Sequence, residues 1–359
     1  MGFFIYTKLQ TGKGQNMKTK SNVNVGVDGI TCIVSGCLVP CEMKFPEDSG
    51  NPLLRLTPKH NITEIGVILP RTVRQNNNIA FRVSDTKMLL DAVQIINRAL
   101  KHMIHRDFSE LFVKQIEVAC TVDMGRVDEL TIDNLMNFMS RIFLQVDKLN
   151  KESDIPYTMR SKPIMKYVTG KRREGCIYLK DEITKSFETS LCSNKRLKFK
   201  GYSKGAFSEF GGNSSIFRTE GVYCERGIKH VLQRKDGYIV LKDVLTQDAI
   251  RGFISQFKID FAEIVLPQIR GYLKEAEQLV YETLERTSAY NALLINKDII
   301  YDLRVYRKAL KRYYRDQNKS DGACRKMLCS VTKEMDKEGI QISDKVIETV
   351  EEISRAIRK

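Results

Sequence analysis

The sequence has no tryptophan, only four histidines and no long apolar segment. The histidines stand at positions 60, 102, 105 and 230, so they form no His-x-His metal motif. No stretch approaches the roughly 20 apolar residues needed to cross a bilayer. A phosphate-binding loop of the form G-x-x-x-x-G-K-[ST] is also missing. These absences predict a protein without a membrane partner and without helicase activity of its own.

The nine cysteines are scattered and odd in number, which argues against a disulfide framework. The closest group is Cys32, Cys37 and Cys41, in an apolar run that is more typical of a buried strand than of a zinc site. We therefore expect reduced thiols and a cytoplasmic protein.

The charge balance points to a polyanionic partner. The chain has 59 Lys and Arg against 44 Asp and Glu, a formal net charge of +15. An excess of this size concentrates DNA or RNA near the surface, with a steep salt dependence. A basic protein without such a partner is the alternative. With no tryptophan and no helix-turn-helix signature, base-specific contacts stay unassigned.

The distribution of apolar residues predicts an α+β fold, with a mixed or antiparallel sheet followed by a helical C-terminal region. We expect a flexible segment over 1–22, an α+β catalytic domain over 23–245 and a basic helical region over 246–359. Within the catalytic domain the pattern predicts helices over 84–106 and 130–149 and strands over 111–122, 175–183 and 214–224. The segment KRLKFKGYSKGAFSEFGGN between the last two strands is expected to be a basic loop.

Charged residues interrupt these three strands. Glu117 lies between Ile116 and Val118 and must face away from both, because side chains alternate across a strand. Glu220 stands in the strand 214–224. The strand 175–183 places Tyr178 and Lys180 on one face.

Such strands, if they are neighbours, suit phosphodiester chemistry. Carboxylates on rigid strands can hold Mg²⁺ or Mn²⁺, and the ion can polarise a phosphate oxygen. A lysine or the ion would favour the phenolate of a tyrosine as nucleophile. In the alternative, Tyr178 is an ordinary sheet residue, and the acids pair with Arg218, Lys180 or solvent.

The order of these segments resembles the replication initiators of filamentous phages, the gene II or phage X type. In that family a strand of the form R-I-D-A-T-F precedes a helix, and strands containing A-Y-L-K and V-R-F-E-A-R-I-K follow. This chain has QIEVAC, IYLKDE and FRTEGVYCERGIK in that order. Its early VDGITCIVSG is also similar to the family's I-D-G-x-L-T-V-S-G. The resemblance covers roughly residues 25–245.

The resemblance implies that Tyr178 is the covalent nucleophile and that Lys180 assists it. Glu117 and Glu220 would be the strand carboxylates, and Glu182 the nearby acid of the metal site. Tyr202, in the expected basic loop, is the second candidate nucleophile. Tyr223 is expected to pack on the apolar side of its strand.

DNA contacts are expected from three basic segments. Residues 302–316 form the most basic predicted helix, whose tyrosines either stack on bases or pack inward. The basic loop and the residues before the Tyr178 strand are the other two. The candidate contacts are Arg172, Arg173, Lys198, Lys200, Tyr202, Arg304, Arg307, Lys308, Lys311 and Arg312.

These observations together predict an origin-specific enzyme that nicks and rejoins DNA through a 5′-phosphotyrosine to start rolling-circle replication. Its substrate would be single-stranded or supercoiled origin DNA, with host helicase and polymerase as partners. A non-enzymatic DNA-binding regulator and a metal-dependent hydrolytic nuclease are the alternatives.

Overall fold

The computed structural model describes residues 22–36, 41–43, 54–74, 82, 85–101, 103–104, 107–123, 130–131, 134–139, 142, 161–164, 186–191, 197–203, 216–297 and 299–358. The predicted N-terminal segment and the predicted strand 175–183 lie outside these residues, apart from residue 22. Of the predicted helix 130–149, residues 130–131, 134–139 and 142 are described, and all of them are helical.

A single antiparallel sheet forms the body of the described chain. Its strands follow the spatial order β2-β3-β4-β1-β5-β9-β8-β7-β6, and every pairing between neighbours is antiparallel. The strands are β1 Asn22–Ser35, β2 Cys41–Met43, β3 Leu54–Lys59, β4 Ile62–Ile68, β5 Phe112–Asp123, β6 Ser161–Ile164, β7 Ser186–Leu191, β8 Leu197–Ser203 and β9 Ile216–Cys224.

Strand β5 shows why the centre of the sheet forms. Its even-numbered residues from Ile116 to Val122 are apolar and fully buried, while Glu117, Ala119 and Thr121 point to the opposite face. The β-branched residues among them favour the extended backbone. The predictions of strands at 111–122 and 214–224 are confirmed within one or two residues.

The prediction of a basic loop is wrong at the start of that segment, because Leu197–Ser203 forms strand β8 beside β9. Its sequence alternates, with Leu197 and Phe199 buried in the core and Lys198 and Lys200 on the other face. The density of lysines hides this two-residue period in the sequence. Lys198 and Lys200 therefore lie on one face of a strand, and Tyr202 belongs to the same strand rather than to a loop.

Of the helices with described bounds, two lie between strands β4 and β5 and the others follow β9, so helices dominate the C-terminal region as the sequence predicts, and the α+β class is confirmed. None of the helices in the described ranges is long and apolar enough to span a membrane. They are α1 Leu69–Arg74, α2 Thr86–Leu100, α3 Glu225–Val231, α4 Leu241–Val244, α5 Gln247–Asp260, α6 Leu266–Leu284, α7 Ala289–Asn296, α8 Leu303–Asp316, α9 Asp321–Glu338 and α10 Val346–Arg358.

Helix α5 packs on one face of the sheet and leaves the other face to the acids. Phe257 contacts Phe199 of β8, with ring centroids 6.1 Å apart, and Phe253 contacts Tyr223 of β9 at 5.8 Å. The Tyr223 hydroxyl donates a hydrogen bond of 2.8 Å to Asp260. Tyr223 is fully buried on this apolar side, as predicted. The predicted division of the chain into three segments stays a prediction.

The close approach of α5 to the sheet makes Gly221 intolerant of a side chain. A Cβ there would lie 2.8 Å from the Phe257 ring, which is buried and cannot swing away. We expect Gly221→Ala to lower the free energy of unfolding by about 1–3 kcal/mol, measured by urea titration. Gly66→Ala is the control, since a Cβ there meets only a carbonyl oxygen at 3.9 Å. A loss in Gly221→Ala no larger than in Gly66→Ala would contradict this packing.

Candidate metal centre

Three carboxylates converge on the sheet face opposite α5. Asp28 of β1, Glu117 of β5 and Glu220 of β9 each offer an oxygen, and these oxygens lie within 4.8 Å of one another. The Glu220 side chain is 3% exposed, Asp28 6% and Glu117 23%. Within the described ranges this is the one group of three or more possible metal ligands.

A β-bulge brings Asp28 to this face. In the pairing of β1 with β5, Val27 lies opposite Val118 and Gly29 lies opposite Glu117, so Asp28 is an extra residue between them. Such a bulge redirects a side chain at the point where the ladder is interrupted. The prediction from the sequence missed Asp28, although the segment VDGITCIVSG that resembles the phage initiators contains it.

Gly29 makes room for the carboxylate of Glu117. A Cβ at position 29 would lie 2.8 Å from the Glu117 Oε2 atom. On the other side of β5, Ala119 pairs with Glu220, which in turn pairs with Lys200 of β8. Glu117 and Glu220 are thus diagonal neighbours on adjacent strands, with small residues beside them. The Asp-Gly pair and the alanine therefore let three acids share a small volume.

Two cations balance part of this negative charge. The buried Arg218 guanidinium lies 2.7 Å from Asp28 and 3.8 Å from Glu220. The Lys200 ammonium lies 2.7 Å from Glu117 and 3.8 Å from Glu220, with its side chain 26% exposed. Arg218 keeps its positive charge in the interior, because a guanidinium does not lose its proton in proteins. Lys200 is nearer to solvent.

The environment of Glu220 disfavours its charged form. Burial, followed by the neighbouring charge of Glu117, raises the pKa of Glu220 to about 7, against the opposing effects of Lys200 and Arg218. Two unit charges 4.8 Å apart repel each other by about 3 kcal/mol at an effective dielectric constant of about 20. The two cations therefore do not fully compensate three ionised carboxylates.

The donor set fits a hard divalent cation. Mg²⁺ binds oxygen ligands at about 2.1 Å in octahedral geometry, so adjacent ligands lie about 3.0 Å apart and opposite ones about 4.2 Å apart. Oxygens within 4.8 Å of one another therefore need to approach by no more than about 2 Å to bind it together. The three carboxylates can hold Mg²⁺ or Mn²⁺.

Of the metal ligands predicted from the sequence, the structure brings Glu117 and Glu220 together. The predicted nucleophile Tyr178 lies outside the described residues, as do Lys180 and Glu182. Two of the candidate DNA contacts, Arg172 and Arg173, lie outside them too. Lys200, predicted to contact DNA, is an ion-pair partner of two of the acids.

The basic helix α8 turns its tyrosines inward. Tyr306 and Tyr314 are buried, and the Tyr306 hydroxyl donates to the carbonyl of Ala289 at 2.7 Å. Of the predicted contacts on this helix, Arg307, Lys308 and Lys311 are exposed, whereas Arg304 and Arg312 are half-buried. Arg304 pairs with Glu348 at 2.8 Å, and Arg312 lies over the Tyr281 ring, 4.4 Å from its centroid. The exposed residues keep a basic stripe along the helix.

Comparisons with known proteins give one distant match. A solved structure of a rolling-circle replication initiator protein from Geobacillus stearothermophilus is similar over 59% of this chain and 78% of that chain, with 12% identity and a TM-score of 0.24. A TM-score this low establishes neither a shared fold nor a shared activity. No family model matches the chain, and no curated protein matches it.

The stability of the metal-free protein is expected to fall as the pH rises through the pKa of Glu220. This pKa is raised from 4.5 to about 7, so the folded protein holds a proton that the unfolded chain releases between these values. The resulting stabilisation is complete below about pH 4.5 and is lost as the pH passes about 7. Urea unfolding in EDTA at about pH 5 and about pH 8 measures the loss.

Glu220→Gln removes this titration, so its free energy of unfolding should fall less over that pH range than that of the wild type. Glu225→Gln, at an exposed position in α3, is the control and should follow the wild type. An identical pH dependence in wild type and Glu220→Gln would show that Glu220 holds no extra proton in the folded state.

Proposed function

We propose that the chain is a metal-dependent enzyme that nicks and rejoins DNA through a tyrosine to start rolling-circle replication. One observation carries the proposal: three carboxylates from three adjacent strands meet within 4.8 Å on a buried face of the sheet. Rolling-circle initiation is the class of function that the sequence resemblance implies for acids at Glu117 and Glu220.

A purely structural ion-pair network is the simpler explanation of the acids, and the charge balance argues against it. Among the described residues, Arg218 and Lys200 supply two positive charges for three carboxylates, and Glu220 lies 3.8 Å from each of these cations with its pKa raised to about 7. A buried acid that is held so close to two others disfavours its own ionisation. A divalent cation would favour the ionised form of all three.

Asp28, Glu117 and Glu220 are the residues that would hold the ion. When bound, it would polarise a phosphate oxygen and stabilise the charge that develops there. Arg218 fixes Asp28 in place from inside the protein. Lys200 is the cation that can move aside, because its side chain reaches toward solvent whereas Arg218 is completely buried.

The nucleophile in this proposal is Tyr178, carried over from the family's Tyr-Leu-Lys strand, with Lys180 favouring its phenolate. The phenolate oxygen forms a bond to phosphorus as the bond from phosphorus to the 3′ oxygen breaks, and that oxygen takes up a proton. The products are a 5′-phosphotyrosine ester and a free 3′ hydroxyl. The ester keeps the bond energy, so the reverse reaction can rejoin the strand. The 3′ end would then be available to host polymerase, and host helicase would separate the strands.

The positive surface would hold the DNA strand. The exposed residues Arg307, Lys308 and Lys311 suit phosphate contacts that do not depend on base sequence. Arg172 and Arg173 precede the Tyr178 strand in sequence and would hold the scissile strand near the nucleophile. Each such contact adds to the salt dependence of binding.

The proposal is tested by trapping the covalent intermediate. A pool of random-sequence single strands, labelled at the 3′ end, is incubated with the protein and Mg²⁺ or Mn²⁺, and label that stays with the denatured protein is counted. We expect an adduct that EDTA abolishes, that is absent in Tyr178→Phe and that falls by at least about 100-fold in Asp28→Asn or Glu117→Gln. Tyr202→Phe is the control and should keep the adduct.

The other outcomes identify the two alternatives. Metal-dependent cleavage that persists in Tyr178→Phe and Tyr202→Phe without any adduct would identify a hydrolytic nuclease. Salt-sensitive binding without cleavage in any metal would identify a DNA-binding regulator. An adduct that is lost in Tyr202→Phe and kept in Tyr178→Phe would move the nucleophile to strand β8.

A further inference from the structure

Asn24 of β1 is a buried polar side chain without a hydrogen-bond partner in the described part of the chain. The residue is 8% exposed, and neither its amide nitrogen nor its amide oxygen is paired there. A buried amide with both ends unsatisfied lowers the stability of the folded protein. A ligand that brings both a donor and an acceptor would remove this cost.

Asn24 lies on the same face of the sheet as the three carboxylates. It pairs with Thr121 of β5, which pairs with Arg218 of β9. The Arg218 Nε atom donates to the Thr121 hydroxyl at 2.9 Å, and the same guanidinium contacts Asp28. A row of polar groups therefore leads from Asn24 to the metal ligands.

The length of this row suits a nucleic-acid strand. Thr121 is two residues from Ala119 along β5, and Ala119 pairs with Glu220, so the row spans roughly 7 Å at the rise of a strand. That distance equals about two stacked nucleotides at about 3.4 Å each. A strand with one phosphate at the carboxylates can therefore place a nearby base beside Asn24.

The chemistry of the amide selects among the parts of such a strand. A phosphate offers only acceptors, so it would pair with the amide nitrogen and leave the amide oxygen without a donor. A base edge can offer a donor and an acceptor side by side. Adenine does so with its N6 and N7 atoms, which an asparagine amide binds through two parallel hydrogen bonds.

We propose that Asn24 binds a nucleobase, preferentially adenine, of the DNA strand whose phosphate lies at Asp28, Glu117 and Glu220. The inference rests on the proposed function for the identity of the ligand. It adds a sequence-reading residue inside the sheet, separate from the basic helix α8.

The first test needs no DNA. Asn24→Leu replaces the unsatisfied amide with an apolar group of similar size, so we expect a higher thermal midpoint than in the wild type. Asn296→Leu is the matched control: Asn296 is also buried, but its amide donates to Thr283 at 3.0 Å and to the Ala292 carbonyl at 2.8 Å. Loss of the hydrogen-bonded Asn296 amide should lower the thermal midpoint. A midpoint of Asn24→Leu that falls as in Asn296→Leu would mean that the Asn24 amide is already satisfied, and would overturn the inference.

The second test measures base preference by binding alone. Random-sequence single strands are equilibrated in EDTA with the wild type and with Asn24→Leu, and the bound strands are sequenced. The wild type should prefer adenine at one position by roughly tenfold or more, and Asn24→Leu should lose that preference. Lys311→Ala should keep it, because a phosphate contact carries no base information. Asn24→Ala should behave as Asn24→Leu does and covers the case in which leucine does not fit.

An unchanged sequence preference in both Asn24 variants would overturn the inference even if the protein forms the covalent adduct. Conversely, the protein could show a base preference that depends on Asn24 and yet never form the adduct. That result would support the base-binding site and contradict the proposed nicking activity. If the protein binds no single-stranded DNA at all, both the base-binding site and the nicking function are contradicted.

Discussion

Three carboxylates that repel one another are held within 4.8 Å on one face of the sheet, and the rest of the candidate site depends on this arrangement. Arg218 and Lys200 make the arrangement possible by placing positive charge between the acids. The compensation is incomplete, and burial together with the charge of Glu117 raises the pKa of Glu220 to about 7. Further positive charge at the cluster, from a proton on Glu220 or from a divalent cation, would relieve the repulsion.

The sheet supplies the rigidity that this cluster needs. Each acid lies on a different strand, and the strands are joined by antiparallel ladders on both sides of β5. The aromatic side chains of α5 fix the opposite face, where Phe257 lies against Gly221 directly behind the acids. A carboxylate held on a central strand keeps its position better than one on a loop, so the ligands are arranged before an ion arrives.

Several parts of this account could be predicted from the sequence, because charge within an apolar strand is a strong signal. Glu117 and Glu220 stand out between buried neighbours, and the structure places them together. Asp28 could not be identified by the same rule, since a bulge breaks the two-residue period at that point. The sequence predicts a loop where strand β8 forms, because two lysines and a glycine leave only Leu197 and Phe199 as buried apolar residues to mark the two-residue period. The role of Tyr178 rests on the resemblance alone, because its strand lies outside the described residues.

The central claim is that Asp28, Glu117 and Glu220 form one metal site, and the most direct test is the position of bound Mn²⁺. Crystals soaked in Mn²⁺ are expected to give an anomalous-scattering peak among the three carboxylates. Gly29→Ala should weaken this peak, because its Cβ would lie 2.8 Å from the Glu117 Oε2 atom and displace that carboxylate. The same Cβ lies 3.3 Å from the Val67 carbonyl oxygen, so circular dichroism of the variant is the control for an intact fold. No peak at this position, with all three acids still paired to Arg218 and Lys200 at saturating Mn²⁺, would contradict the account.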